Sequence, residues 1–335
     1  MSSERINLYT LIAITAFILL TLGRVLWVYF GFWKRDSKIK TNTTPKKEVK
    51  EITISHPTIS KLYEQYSQTM IGQQDVFIWL IWCWLASGHC LLTGLPGTGK
   101  TQAVKTWIEL LWLDMGRVQG TSDLLPADIT GSPIYNPKTS EFDTVFGPIM
   151  HECVLVDEIN RMPSKTQSAL LQAMAEWHIV IGQETYKLPQ HFTVFATQNP
   201  HDRVGTFPLP QAQLDRFMCQ IIVQPANLEQ QGKILNQINK NPIAKEIPLN
   251  KGGSRRPGDL SLQQIIQEYN QIAVPESITS SVAQLLQDQW LSSRAGQHII
   301  AFARALALMG NKRQVDQSDI QISLDYTVKH RLYNK

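Results

Sequence analysis

The chain has 335 residues, 43% hydrophobic and 18% charged, which excludes a disordered or fibrous protein and leaves room for one large α/β domain plus a smaller second one. Its net charge of +4 comes from one short polar stretch holding Lys34, Arg35, Lys38, Lys40, Lys46, Lys47 and Lys50. The rest is close to neutral, which argues against a broad nucleic-acid surface.

Leu8 to Trp33 is almost wholly apolar, broken by Arg24 and a few threonines, and at ~1.5 Å per residue it is long enough to cross a bilayer. A single transmembrane helix is the expectation, with Arg24 snorkelling to the interface beside Trp27, Tyr29, Phe30 and Trp33. The lysine-rich stretch behind it would keep the following region in the cytoplasm. A cleaved signal peptide is the alternative, but no small-residue cleavage site follows the apolar core. Residues 34–55 read as a basic flexible linker. Val76 to Ala86 carries Trp79, Trp82 and Trp84 and has about half the length of a span, so it is expected as a buried helix, with lipid or partner contact as the alternative.

An apolar run, Cys90-Leu91-Leu92, leads to Gly94-Leu95-Pro96-Gly97-Thr98-Gly99-Lys100-Thr101, with Gln102 and a helix-compatible stretch behind it. This spacing is that of a phosphate-binding loop. Gly94, Gly97 and Gly99 let the backbone aim its N–H groups inward, Lys100 reaches the β and γ phosphates, and Thr101 ligates Mg2+. The following helix adds its positive N-terminal end. Val154, Leu155 and Val156 form a buried-strand run ending in Asp157, suited to the Mg2+ shell, and Glu158, suited to polarising an attacking water. Ile179 to Ile181 and Thr185 to Leu188 flank Gly182 and read as a small hairpin. Phe192 to Ala196 is another strand run, leading through Thr197 and Gln198 to Asn199 and Pro200. By itself Asn199 before a proline reads as a turn as readily as a water or phosphate sensor. Cys83, Cys90, Cys153 and Cys219 lack paired ligand spacing and read as reduced core residues. Beyond Pro225, helical periodicity marks Ser261 to Tyr269, Ser277 to Trp290, Gly296 to Met309 and Ser318 to His330, with Lys251 to Arg256 as a mobile loop.

Taken in order, several segments resemble the MoxR family of AAA+ ATPases from about Ile71 to the C-terminus. They are the phosphate loop, Val156-Asp157-Glu158-Ile159-Asn160-Arg161, Lys165 to Leu171, Thr197-Gln198-Asn199-Pro200, and Pro208-Leu209-Pro210 running to Leu214-Asp215-Arg216-Phe217. Ile71-Gly72-Gln73, Asp123 to Gly131 and Phe146-Gly147-Pro148-Ile149 match as well. The resemblance implies an α/β P-loop AAA+ core over residues 56–225, with a parallel sheet flanked by helices, and an all-α lid over 226–335. The transmembrane helix would lie within residues 1–33. It also implies ATP and Mg2+, with Ile71 and Gly72 against the adenine, Asn199 as a sensor and Arg294 as the second sensor. Arg216 resembles an arginine finger acting on the neighbouring subunit of a ring, usually a hexamer, with Arg161 or Arg203 as candidates to share that role. The implied activity is ATP hydrolysis that matures or remodels a client at the membrane, often with a von Willebrand A domain partner. A chelatase motor subunit, a slow nucleotide-gated membrane scaffold and a nucleic-acid motor are the alternatives.

Overall fold

The computed structural model describes residues 54–200, 205–240, 259–289, 291–328 and 330–331. Helices α1 (Pro57–Thr69) and α2 (Gln74–Leu85) precede β1 (Cys90–Thr93), α3 (Lys100–Leu110), β2 (Met115–Gln119) and a short α4 (Pro126–Thr130). A hairpin of β3 (Gly131–Asn136) and β4 (Glu141–Phe146) follows, then β5 (Cys153–Asp157) and α5 (Ser164–Glu176). The second hairpin, β6 (His178–Ile181) and β7 (Glu184–Lys187), turns at Gly182 in the left-handed region, at the place the sequence indicates. After β8 (Thr193–Gln198), α6 (Gln211–Leu214) and β9 (Cys219–Ile222), the chain is helical: α7 (Leu228–Lys240), α8 (Asp259–Gln271), α9 (Glu276–Gln289), α10 (Ser293–Met309) and α11 (Gln317–Thr327).

Five strands form one sheet in the order β2-β5-β8-β1-β9, every pairing parallel. Strands buried on both faces need no polar alternation, and β1 and β5 are buried at every position. The register sets Thr93 beside Gln198, Val156 beside Ala196 and Gln119 beside Asp157. The carboxyl ends of β1, β2, β5 and β8 therefore open on one edge, where open α/β sheets gather their ligands.

α2 is apolar all round, and Val76 to Leu85 is buried throughout, so this helix lies inside the fold. Two of its tryptophans, Trp79 and Trp82, face the C-terminal helices, while Trp84 packs on Trp107 of α3. Trp79 stacks on Phe302 of α10 at 5.7 Å between ring centroids, Trp82 meets the same ring edge-on at 4.4 Å, and the Trp82 indole N–H points at the Met309 sulfur. Aromatic pairs of this kind add ~0.5–1.5 kcal/mol each beyond their buried area. They join the sheet unit to α10.

The expectation of a single-pass membrane protein with a cytoplasmic ATPase is corrected. No helix among the described residues is long and apolar enough to cross a membrane. The longest of them, α10, has 17 residues and includes Arg294, His298 and Arg304. At ~1.5 Å per residue it reaches ~25 Å, short of the ~30 Å hydrocarbon core. The run Leu8 to Trp33, which prompted that expectation, lies outside the described residues, as do linker residues 34–53, Arg203 and the loop Lys251 to Arg256.

His89, at the entry to β1, is 4% exposed; its Nδ1 accepts the Val194 N–H at 3.0 Å and its Nε2 lies 3.2 Å from the Met174 carbonyl. Burial pushes its pKa down to about 4. An unfolded imidazole titrates near ~6.5, so the stability conferred by this neutral ring is intact above that pH. It is lost at ~1.4 kcal/mol per pH unit as the pH falls towards about 4. Urea unfolding at about pH 7 and about pH 5 should show a larger loss for the wild type than for His89→Gln. Equal losses would assign the acid sensitivity to other groups.

Candidate active site

The loop between β1 and α3 turns through left-handed glycines, Gly97 at φ 76° and Gly99 at φ 83°, and its tip at Leu95 and Pro96 is exposed. A Cβ at Gly94 would stand 2.6 Å from the Val223 carbonyl, whereas one at Gly97 would meet nothing within 4 Å. The loop is thus pressed against the end of β9 at its start and open over its middle. Thr98 Oγ1 donates to the Leu95 carbonyl at 2.9 Å. The buried Lys100 ammonium donates to the carbonyls of Gly94 and Leu95, each at 2.8 Å, and desolvation lowers its pKa against the opposing charges of Asp157 and Glu158. Gln102, at the start of α3, points outward and bonds Thr106 at 3.3 Å.

Gln73, which the sequence marks only as part of a family match, is a staple for this loop. It is 7% exposed and its amide donates to the Thr98 carbonyl at 3.0 Å and the Gln224 carbonyl at 3.3 Å. Ile71 and Gly72 sit in the turn between α1 and α2, where a Cβ on Gly72 would come within 2.9 Å of the Gln230 side chain of α7.

Asp157 is the meeting point of the strand ends. Its Oδ1 accepts from Thr101 Oγ1 at 2.6 Å and from Thr197 Oγ1 at 2.7 Å, and the Thr197 hydroxyl in turn accepts the Glu158 N–H at 3.0 Å. Arg117 of β2 reaches Asp157 Oδ2 at 3.5 Å. Glu158 is left-handed, at φ 56° and ψ 52°, a conformation costly for a side chain with a Cβ. Its carboxylate lies 3.4 Å from the Gln119 amide and 3.4 Å from Arg161 Nε. Gly120 holds this backbone from the other side: its N–H donates to the Asp157 carbonyl at 2.7 Å, and a Cβ there would stand 2.2 Å from the Glu158 carbonyl oxygen. None of Arg117, Gln119 and Gly120 stands out in the sequence, because Met115–Gln119 alternates buried and exposed positions with little apolar content.

Asn199 follows β8 and is 7% exposed; its carbonyl accepts from Asn160 Nδ2 at 3.2 Å. Arg216 lies between α6 and β9, half-buried, with its backbone N–H bonded to the Gln213 carbonyl. Arg294, in the first turn of α10, reaches Asp215 Oδ2 at 3.4 Å. The structure therefore unites Lys100, Thr101, Asp157, Glu158 and Arg161 in one cluster and gathers Arg294 with Asp215 in another. The four cysteines are free and buried, and the sulfurs of Cys83, Cys90 and Cys219, on separate elements, converge within 4.8 Å of one another, a proximity their sequence spacing concealed.

The donor set fits a magnesium nucleotide. A threonine hydroxyl and a carboxylate already 2.6 Å apart are hard oxygen donors of the kind Mg2+ takes. The positive-φ glycines and the N-terminal end of α3 suit phosphate oxygens.

Residues 89–219 match the family model described as the ATPase family associated with various cellular activities (AAA). The chain is 36% identical over 286 residues to an uncharacterised Bacillus subtilis protein, YeaC, covering 83% of this chain and 87% of the relative. It is 34% identical over 284 residues to the chaperone MoxR1 of Mycobacterium tuberculosis, covering 82% of this chain and 75% of that one. A crystal structure from Cytophaga hutchinsonii superposes with a TM-score of 0.68 at 30% identity, over 82% of this chain and 86% of that one. With a phosphate loop after β1 and an Asp-Glu pair at the end of β5, on the same edge of the sheet, and with likeness to a MoxR chaperone along most of both chains, this protein belongs to the MoxR family of AAA+ ATPases.

Proposed function

We propose that the cluster around Asp157 is the hydrolytic centre and that ATP turnover there drives the remodelling or maturation of a partner protein. The carrying observation is the continuous chain Thr101, Asp157, Thr197 and the Glu158 N–H, all bonded at 2.6–3.0 Å. Lys100 and the loop amides hold the phosphates, and Ile71 and Gly72 lie against the adenine. Thr101 and Asp157 would hold Mg2+, which would supply charge neutralisation for the phosphates. Glu158 takes the proton of the attacking water as its oxygen bonds to the γ phosphorus and the bond to the β-phosphate oxygen breaks. Its left-handed backbone, fixed between Gly120 and Thr197, supports that aim. Asn199 senses the γ phosphate or holds the water.

Residues 56–225 act as the core and 226–335 as the lid, and the subunits work as a ring, a hexamer by family resemblance. Arg216 projects to the neighbouring subunit's nucleotide and Arg294 acts on its own. The relative named a chaperone supports extending that role here, with a von Willebrand A domain protein as the partner class the family resemblance suggests.

Glu158→Gln should keep ATP binding and lower turnover by about 10²-fold or more, since the loop and the metal ligands survive. Unchanged turnover would remove Glu158 from its role. Arg216→Ala subunits, slowed by about 10³-fold alone, should regain activity when mixed with Lys100→Ala subunits, because the latter lend an intact Arg216 to a neighbour whose phosphate loop is intact. Lack of rescue in rings confirmed to be mixed would count against action in trans. Glu158→Gln loaded with ATP should also retain its client longest, so capture followed by mass spectrometry tests the remodelling reading. Repeated recovery of no specific protein with intact rings would oppose it.

A further inference from the structure

Arg331 stands just beyond α11, and its side chain is only 3% exposed. A guanidinium has five N–H donors, and burying it is costly unless they are matched. Here they are. Nε donates to Asp215 Oδ1 at 2.8 Å, one terminal nitrogen to the Met218 carbonyl at 3.3 Å and the Thr327 carbonyl, and the other to the carbonyls of Asp215 at 3.1 Å and Phe217 at 2.6 Å. His298 Nδ1 of α10 faces that last nitrogen at 2.5 Å. Neighbouring bonds tighten the same junction: His330 Nε2 lies 3.0 Å from the Phe217 carbonyl, and Gln211 donates to the His330 carbonyl at 2.7 Å.

The acceptors on Asp215, Phe217 and Met218 flank Arg216 on both sides, yet the Arg216 side chain takes no part in this brace. Asp215 also receives Ser292 Oγ at 3.1 and 3.2 Å and Arg294 at 3.4 Å, so its carboxylate gathers the start of α10 and the end of the chain at the residue before Arg216.

We propose that Arg331 is a positioning residue for ATP hydrolysis: from behind the last lid helix it fixes the backbone flanking Arg216 and so sets where that guanidinium projects. This rests on the reading of Arg216 as acting in trans. The segment just after α11 then governs a subunit's capacity to complete its neighbour's site, while that subunit's own phosphate loop and Asp157 cluster stay sound.

The test uses Arg331→Lys, which keeps the charge but loses the fork, and Arg331→Gln, each in the full chain, with thermal melting and ring assembly measured beside turnover. Misplacing a reacting group by about 1 Å costs on the order of 10²-fold, so Arg331→Gln should lose turnover on that scale with KM for ATP unchanged. Mixed with Lys100→Ala subunits, either variant should regain activity; mixed with Arg216→Ala subunits, neither should. Arg216→Ala mixed with Lys100→Ala is the control. If that control is rescued and the Arg331 mixtures are not, Arg331 does not act through Arg216 and the proposal falls. Rescue by Arg216→Ala subunits, or full activity of both variants alone, also overturns it. If the control fails in confirmed mixed rings, the trans reading of Arg216 itself is wrong and takes the proposal with it. Failure of both variants to fold would show Arg331 serving the whole fold, which equally overturns the proposal.

Discussion

A carboxylate at the end of a fully buried strand must be satisfied, and in this molecule its satisfaction organises the site. Asp157 is 7% exposed, and it accepts hydroxyls from the first turn of α3 and from β8 while Arg117 approaches from β2. Hydrogen bonds to a charged group are worth ~1.5–3 kcal/mol each, and an unmatched buried charge costs more. The register of β2, β5, β8 and β1 is therefore tied to one residue's need for donors. That need brings the phosphate loop, the Asp-Glu pair and the segment before Asn199 to one edge.

Around this point the backbone leaves little freedom. Glu158 holds a left-handed conformation, with Gly120 so close that a methyl group could not fit between them. The strained residue is also the proposed water-activating residue, consistent with strain being kept where it serves a function. The loop is similarly fixed from outside, by Gln73 beneath Thr98 and by Val223 against Gly94. A nucleotide cradle held at both ends loses less entropy on binding than a free glycine loop would.

Away from the phosphate loop, the helices after β9 are joined to the sheet unit in two chemically different ways. The aromatic contact of Trp79 and Trp82 with Phe302 is apolar and rests on buried area and ring packing. The Arg331 and Asp215 junction is directional, because each bond needs its own angle. The helices after β9 thus meet the sheet unit through one apolar contact and one set of hydrogen bonds.

Wherever local pattern suffices, the sequence by itself was decisive: glycine spacing and a following lysine mark a phosphate loop, an apolar run before Asp157 marks a buried strand, and Gly182 between β-formers marks a hairpin. These signals are legible because backbone conformation there depends on neighbouring residues alone. The β3–β4 hairpin and β2 were not legible as elements, since the hairpin is largely exposed and β2 has little apolar content. The run Leu8 to Trp33 prompted the expectation of an anchor and lies outside the described residues, among which no helix is long and apolar enough to cross a membrane. Only the tertiary structure could decide that Gln73 staples the loop, that Gly120 limits Glu158, that Cys83, Cys90 and Cys219 converge, and that Arg331 braces both sides of Arg216. Each joins residues far apart in the chain, and such contacts exist only once the sheet order and helix packing have brought those residues within bonding distance.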